Sequence, residues 1–328
     1  MGPQPRQGHL RVQDSDLVDA NQIRVLLIAG IGRSGSTLVD RALGAAPGCT
    51  SVGELVRLWE RGLAEDALCG CGEPFSACPF WSAVGEAAFG GWQALDAAAL
   101  IRLRSRVDRI RYLPFLVTRG PRRYRAALAE YVSFVERLYR AISTVSGDRL
   151  IVDSSKDVST AYLLTRASVL DVRVLHLVRD PRAVAYSWTK HVPKPGTSVE
   201  MDRYPPVKTA GWYLVFNVLI HALRFWRVPM RFLRYEDFTR DPAGHIAAML
   251  GFGGDRGHQL LYVSGRTLEL GAHHSMGGNP MRFQRGTIEV RRDDDWRGEL
   301  PASDRRVVTA LTLPLLALYR YLPSRGRT

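Results

Sequence analysis

The sequence predicts an α/β domain built on a central parallel sheet flanked by helices, and three observations carry that expectation. An apolar run of strand length, Val25 to Ala29, breaks at Gly30-Ile31-Gly32-Arg33-Ser34-Gly35-Ser36-Thr37. It resumes at the helical spacing Leu38, Val39, Ala42, Leu43, the pattern of a strand, a phosphate loop and a helix. Strand-like and helical segments then alternate along the chain. Several strand-like segments end in charged or hydroxyl residues, which an open parallel sheet presents to a ligand crevice at its carboxyl edge.

The chain has 328 residues, 46% of them hydrophobic, enough for one large domain with a real core. We expect a polar, aperiodic arm at 1–22 and a single P-loop-like domain at 23–328, with a helical insert at about 60–147. A net charge of +13 points to anionic partners: a polyphosphorylated cofactor, an acidic acceptor or a membrane surface. Nucleic acid is not expected, because no recognisable binding motif accompanies the charge. Four cysteines are too few for a disulfide framework and no apolar signal segment opens the chain, so a reducing cytoplasm is the expected setting. The greasiest stretch, Trp212 to Val228, carries Asn217, His221, Arg224 and Arg227 and is too polar and short to span a bilayer.

In the first loop, Gly30 to Thr37 fits the spacing G-x-x-x-x-G-x-[ST], but Ser36 stands where a nucleotide triphosphatase needs lysine. Arg33 offers a different fixed cation. Glycines let the backbone approach an anion, and the first-turn N–H groups of the next helix face it. After the Pro47-Gly48 turn comes Glu54, a candidate general base or, more plainly, an acid at a helix start. Cys69-Gly70-Cys71 and Cys78 form a compact turn suited to a metal or a disulfide. Zinc needs four ligands, and neither a second cysteine pair nor two histidines lie nearby, so buried or free thiols are the expectation.

Trp92 to Ser146 reads as two or three helices interrupted by Pro114 and Gly120-Pro121. Nine arginines lie between Arg102 and Arg125, opposed only by Asp108, as a solvated face or as a cap attracting an anionic acceptor or lipid headgroups. Arg149 to Lys156 is a second strand, whose Asp153 superficially resembles a Walker B acid and whose end carries Lys156 and Asp157. Val172 to Val178 is a third, running into Arg179 and a helix opened by Pro181, with His176 in a structural position. Lys190 to Val207 holds four prolines and reads as a lid loop. Met230 to Asp237 supplies a fourth strand, His273 to Phe283 a glycine-rich basic loop able to close over an anion, and Arg305 to Tyr321 the last helix.

Taken together, these blocks resemble sulfotransferases that use 3′-phosphoadenosine-5′-phosphosulfate (PAPS), in the family's order across nearly all of the chain after residue 22. The resemblance implies that Arg33, Ser34, Gly35, Ser36 and Thr37 bind the 5′-phosphosulfate. It gives the 3′-phosphate to Arg179 and Ser187, eight residues apart, and adenine to Tyr235 of the Tyr235-Glu236-Asp237 block. The C-terminal loop with Arg282, followed by Arg285-Gly286 and Asp295-Trp296, is similar to that of bacterial members. Lys156-Asp157 stands where cytosolic animal enzymes carry Lys-His, and Gly53-Glu54 where protein-tyrosine sulfotransferases carry their glutamate. The implied roles are Glu54 as base, and Lys156 and Arg33 as cations for the bridging oxygen and 5′-phosphate. No metal is implied. The acceptor would be a small molecule, glycan or glycolipid, with peripheral membrane contact through the arginine-rich insert. The competing reading is a P-loop nucleotide kinase or NTPase with a degenerate Walker A loop, resting on the loop spacing and Asp153.

Overall fold

A computed structural model describes residues 22–118, 120–193, 200–255 and 259–322; the arm expected at 1–22 lies outside them apart from Gln22. Five parallel strands, β1 (Ile23–Ala29), β2 (Cys49–Gly53), β3 (Leu150–Lys156), β4 (Leu170–Val178) and β5 (Met230–Arg234), form one sheet in the order β2-β3-β1-β4-β5. In the central strand, Leu26 pairs with Val152 on one side and Arg173 on the other. Residues Val25 to Ala29 are all buried because both faces of the sheet are covered, which is why this strand reads as a continuous apolar run.

Alternate residues of β1 serve different cores. Leu26 and Ile28 pack with Leu38, Val39 and Leu43 of α1 (Ser36–Gly44). Val25 and Leu27 face the insert, α2 (Pro79–Phe89), α3 (Ala97–Val107), α4 (Leu113–Thr118) and α5 (Arg122–Ser146), with α6 (Val158–Leu164) on the same side. Helices α7 (Pro181–Thr189), α8 (Pro206–Ala222), α9 (Tyr235–Arg240) and α10 (Pro242–Phe252) follow. A small antiparallel sheet of β6 (Val263–Ser264), β7 (Thr267–Leu270) and β8 (Gly286–Glu289) precedes α11 (Trp296–Glu299) and α12 (Ala302–Leu318). Among the described residues no helix is long and apolar enough to cross a membrane.

Four local expectations are corrected. β2 is an extra edge strand between the first loop and the insert; Cys49-Thr50-Ser51 lacks the apolar run that announces the other strands. The fourth expected strand stops at Arg234, and Tyr235 begins a helix. Helix α8 begins at Pro206, whose fixed φ suits a first helical turn, and so takes the end of the expected lid loop; residues 194–199 of that loop lie outside the described ones. The arginine-rich face is not all solvated. Arg104 is fully buried, with Glu60 at 2.6 Å, Asp157 at 3.4 Å and Asp108 at 3.5 Å. His176 is structural as expected: it is buried, its Nε2 lies 2.7 Å from Asn217 Oδ1, and burial lowers its pKa to about 3, keeping the ring neutral.

Candidate active site

The carboxyl ends of β1, β2, β3 and β4 meet at the first loop. Helix α1 opens without a side-chain cap, leaving its first-turn N–H groups to an anion, and the Ser34 hydroxyl is buried there without a hydrogen-bond partner. Gly35 has φ +87°, and a Cβ on it would lie 2.3 Å from the Tyr235 ring, so only glycine lets the loop lie on that ring. Two residues with side chains, Arg33 (φ 69°) and Lys156 (φ 63°), also take left-handed backbone conformations. Such conformations are sparsely populated and cluster at functional sites.

Lys156 Nζ donates to Glu54 Oε1, an ion pair with both side chains largely buried. Glu54 lies just after β2, and Lys156 ends β3, so neighbouring strands place the pair. The C-terminal loop walls it on the other side. Met276 O accepts from Glu54 N at 2.7 Å, Gly278 packs against both Thr37 and Glu54, and Asn279 N donates to Thr37 Oγ1 at 3.3 Å. Arg33 belongs to the same group. Burial lowers its pKa, the Glu54 charge opposes that shift, and its guanidinium lies 5.1 Å from the centre of the Trp188 ring.

The second end of the crevice is organised by Arg179. Its guanidinium donates to Arg33 O at 3.2 Å, pairs with the Asp293 carboxylate at 3.0 Å and stacks 5.1 Å from the Tyr235 ring centre. Lys190 reaches the same carboxylate at 3.6 Å. Burial disfavours ionised Asp293, but Arg179 and Lys190 outweigh it and hold the carboxyl below its usual range. Glu236 fixes this end to the scaffold, accepting from Asp180 N at 3.0 Å and from the Tyr321 hydroxyl at 2.5 Å.

The structure therefore brings Arg33, Ser34, Gly35, Ser36, Thr37, Glu54 and Lys156 to one end, and Arg179 and Tyr235 to the other. Ser187 is half-buried on α7, two turns beyond Arg179. Arg282 is not in this group. Its guanidinium is buried and donates to Leu68 O at 2.8 Å and Ser275 O at 3.1 Å. Asp153 does not face the loop either. It accepts from the Tyr139 hydroxyl at 2.5 Å and from Ser155 N at 2.7 Å, anchoring α5, which removes one of the two observations favouring a nucleotide kinase. Asp157 engages Arg104 rather than Lys156. Asp293 carries no signal in the sequence, since it is joined to this site only by tertiary contact, whereas Met276 to Asn279 belong to the glycine-rich loop expected to close over an anion.

An α/β sheet with an uncapped anion loop, a carboxylate–lysine pair and a second cationic site suits an enzyme that acts on an anionic donor. The chain belongs to the sulfotransferase domain family, whose model matches residues 24–261. Among solved structures it is similar to the sulfotransferase domain of the Synechococcus PCC 7002 olefin synthase, at 21% identity and TM-score 0.51, covering 91% of this chain and 96% of that one. A more distant likeness is retinol dehydratase in a complex with retinol and PAP, at 14% identity and TM-score 0.35, covering 90% of this chain and 82% of that one. No curated protein sequence matches.

Proposed function

We propose that this sulfotransferase moves a sulfuryl group from PAPS to a hydroxyl or amine of a small-molecule, glycan or glycolipid acceptor, in the cytoplasm. The observation that carries the reading is the Glu54–Lys156 pair beside a phosphate loop that lacks the triphosphatase lysine. The donor supplies an electrophilic sulfur; the acceptor–sulfur bond forms as the bond from sulfur to the bridging phosphate oxygen breaks.

Such a transfer needs in-line positioning, a base for the acceptor, and cations for charge gathering on the leaving phosphate. Glu54 is the base. Lys156, released from Glu54 when the carboxylate takes its proton, and Arg33 neutralise the leaving end. Ser34, Ser36, Thr37 and the first-turn N–H groups of α1 hold the remaining oxygens, a role suited to the unpartnered Ser34 hydroxyl. Arg179 and Ser187 take the 3′-phosphate, a role supported by the ability of Arg179 to pair with an anion, here the Asp293 carboxylate. Tyr235 contributes to the adenine site. No metal takes part in the transfer. The exposed arginines of the insert, among them Arg102, Arg106, Arg122 and Arg123, favour an anionic acceptor or contact with lipid headgroups.

Calorimetry tests the donor assignment. Adenosine 3′,5′-bisphosphate should bind without added Mg²⁺ and more tightly than ATP–Mg²⁺; the reverse preference overturns it.

A further inference from the structure

The cysteine turn acquires in three dimensions the partner that the local sequence withholds. His274, 196 residues beyond Cys78, brings its Nδ1 to 3.3 Å from Cys78 Sγ and 3.8 Å from Cys69 Sγ. Cys78 Sγ lies 3.6 Å from Cys69 Sγ and 3.7 Å from Cys71 Sγ, and the ligand atoms of all four residues fall within 4.8 Å of one another. Four donors at the corners of a tetrahedron with metal–sulfur bonds of about 2.3 Å are separated by about 3.5–3.8 Å along each edge. Most of these separations meet that geometry without rearrangement.

We infer that Cys69, Cys71, Cys78 and His274 bind a structural Zn²⁺ that clasps the start of the insert to the C-terminal loop. The ligand set is Cys₃His, with no position left for water, so the site is structural rather than catalytic. Binding replaces three thiol protons by the metal and leaves one net negative charge. Two guanidiniums stand against it: Arg282 on the Leu68 and Ser275 carbonyls, and Arg285, which donates to Cys71 O. The surroundings also fix the ligands. The His274 ring stacks on Phe80 at 4.8 Å, Trp81 Nε1 donates to His274 O at 2.9 Å, and Gly70 N donates to Ser275 O at 3.0 Å. A Cβ on Gly70 would lie 2.4 Å from the His273 ring, so the residue between the first two cysteines must be glycine for the two loops to meet.

The clasp has a consequence for the active site. His274 is two residues before Met276 and five before Asn279, the residues whose backbones bond Glu54 and Thr37. Holding His274 fixes the entry of that loop across the Glu54–Lys156 pair, and gives Arg282 a purpose apart from cofactor binding.

Elemental analysis of the untagged full-length protein, purified without chelator, should find about one zinc per chain, falling below about 0.1 in Cys78→Ser and surviving in His274→Cys, which keeps a fourth ligand. If Cys78→Ser does not fold, the wild-type chain exchanged with Co²⁺ decides, since tetrahedral thiolate ligation gives intense visible bands. A wild-type chain that takes up neither metal, a six-coordinate cobalt spectrum, or zinc retained equally in Cys78→Ser overturns the inference.

Discussion

At the first loop the protein offers donors and cations around a carboxylate, Glu54, that is itself paired to lysine, whereas at the other end Arg179 is paired to an anion of the chain itself, Asp293. On the proposed function, the difference separates chemistry from recognition. Glu54 and Lys156 hold each other in a contact that a proton can break. Arg179 is held on three sides, by Arg33 O, Asp293 and the Tyr235 ring, and its position is set before any ligand arrives. On this contrast, damage at the first end should appear in turnover, and damage at the second in affinity.

The largest effect is expected at Glu54. Glu54→Gln keeps the shape and removes the proton acceptor, so kcat should fall by about 10²–10⁴-fold while bisphosphate affinity stays near wild type. Steady-state kinetics paired with calorimetry reads both quantities. The control is Asp157→Asn: that carboxylate belongs to the Arg104 cluster, where Glu60 and Asp108 remain as partners, so the change should cost stability rather than turnover. An inactive Asp157 variant beside an active Glu54 variant would move the base to the end of β3 and dissolve the contrast.

The next effect belongs to Arg179. A charged hydrogen bond to a phosphate is worth about 1.5–3 kcal/mol, so Arg179→Ala should weaken adenosine 3′,5′-bisphosphate binding by roughly 10- to 150-fold. Adenosine 5′-phosphate, which lacks the 3′ group, should lose far less. Equal losses for both nucleotides would show that Arg179 supports the loop through Arg33 O instead of reading a phosphate.

How much of this was legible in the sequence follows the distance over which each feature is specified. The loop at 30–37 is written in consecutive residues, because a backbone that must approach an anion selects glycine and hydroxyls locally. β1, β3 and β4 announce themselves as buried apolar runs, and Pro181 marks a helix start where a proline ring is tolerated, whereas Pro206, which opens α8, is hidden among the four prolines of the expected lid loop. β2 escaped because an edge strand with Thr50 half-buried needs no continuous apolar run. The resemblance assigned Arg282 a cofactor role by its place in a block, yet its guanidinium is spent on the carbonyls of Leu68 and Ser275. No local pattern connects His274 to Cys78 or Asp293 to Arg179, since those pairs exist only once the C-terminal loop folds back over the sheet.

Asp293 gives the smallest effect and the sharpest reading of the second end. If its carboxylate occupies Arg179 where a 3′-phosphate would sit, the two anions compete, and the pair must open before the nucleotide is held. Asp293 is about one-third exposed, so its attraction to Arg179 is screened and worth no more than about 1 kcal/mol. Asp293→Asn keeps the shape and removes the charge; it should tighten adenosine 3′,5′-bisphosphate binding about two- to fivefold, with adenosine 5′-phosphate unchanged. Lys190, which reaches the same carboxylate at 3.6 Å, keeps its partner Asp295 at 3.4 Å in this variant, so the gain comes from Arg179. Calorimetry at low salt, where the term is largest, measures it. A weaker rather than tighter complex would mean that Asp293 orients Arg179 for its ligand, making the two ends alike: each a cation held in place by a carboxylate.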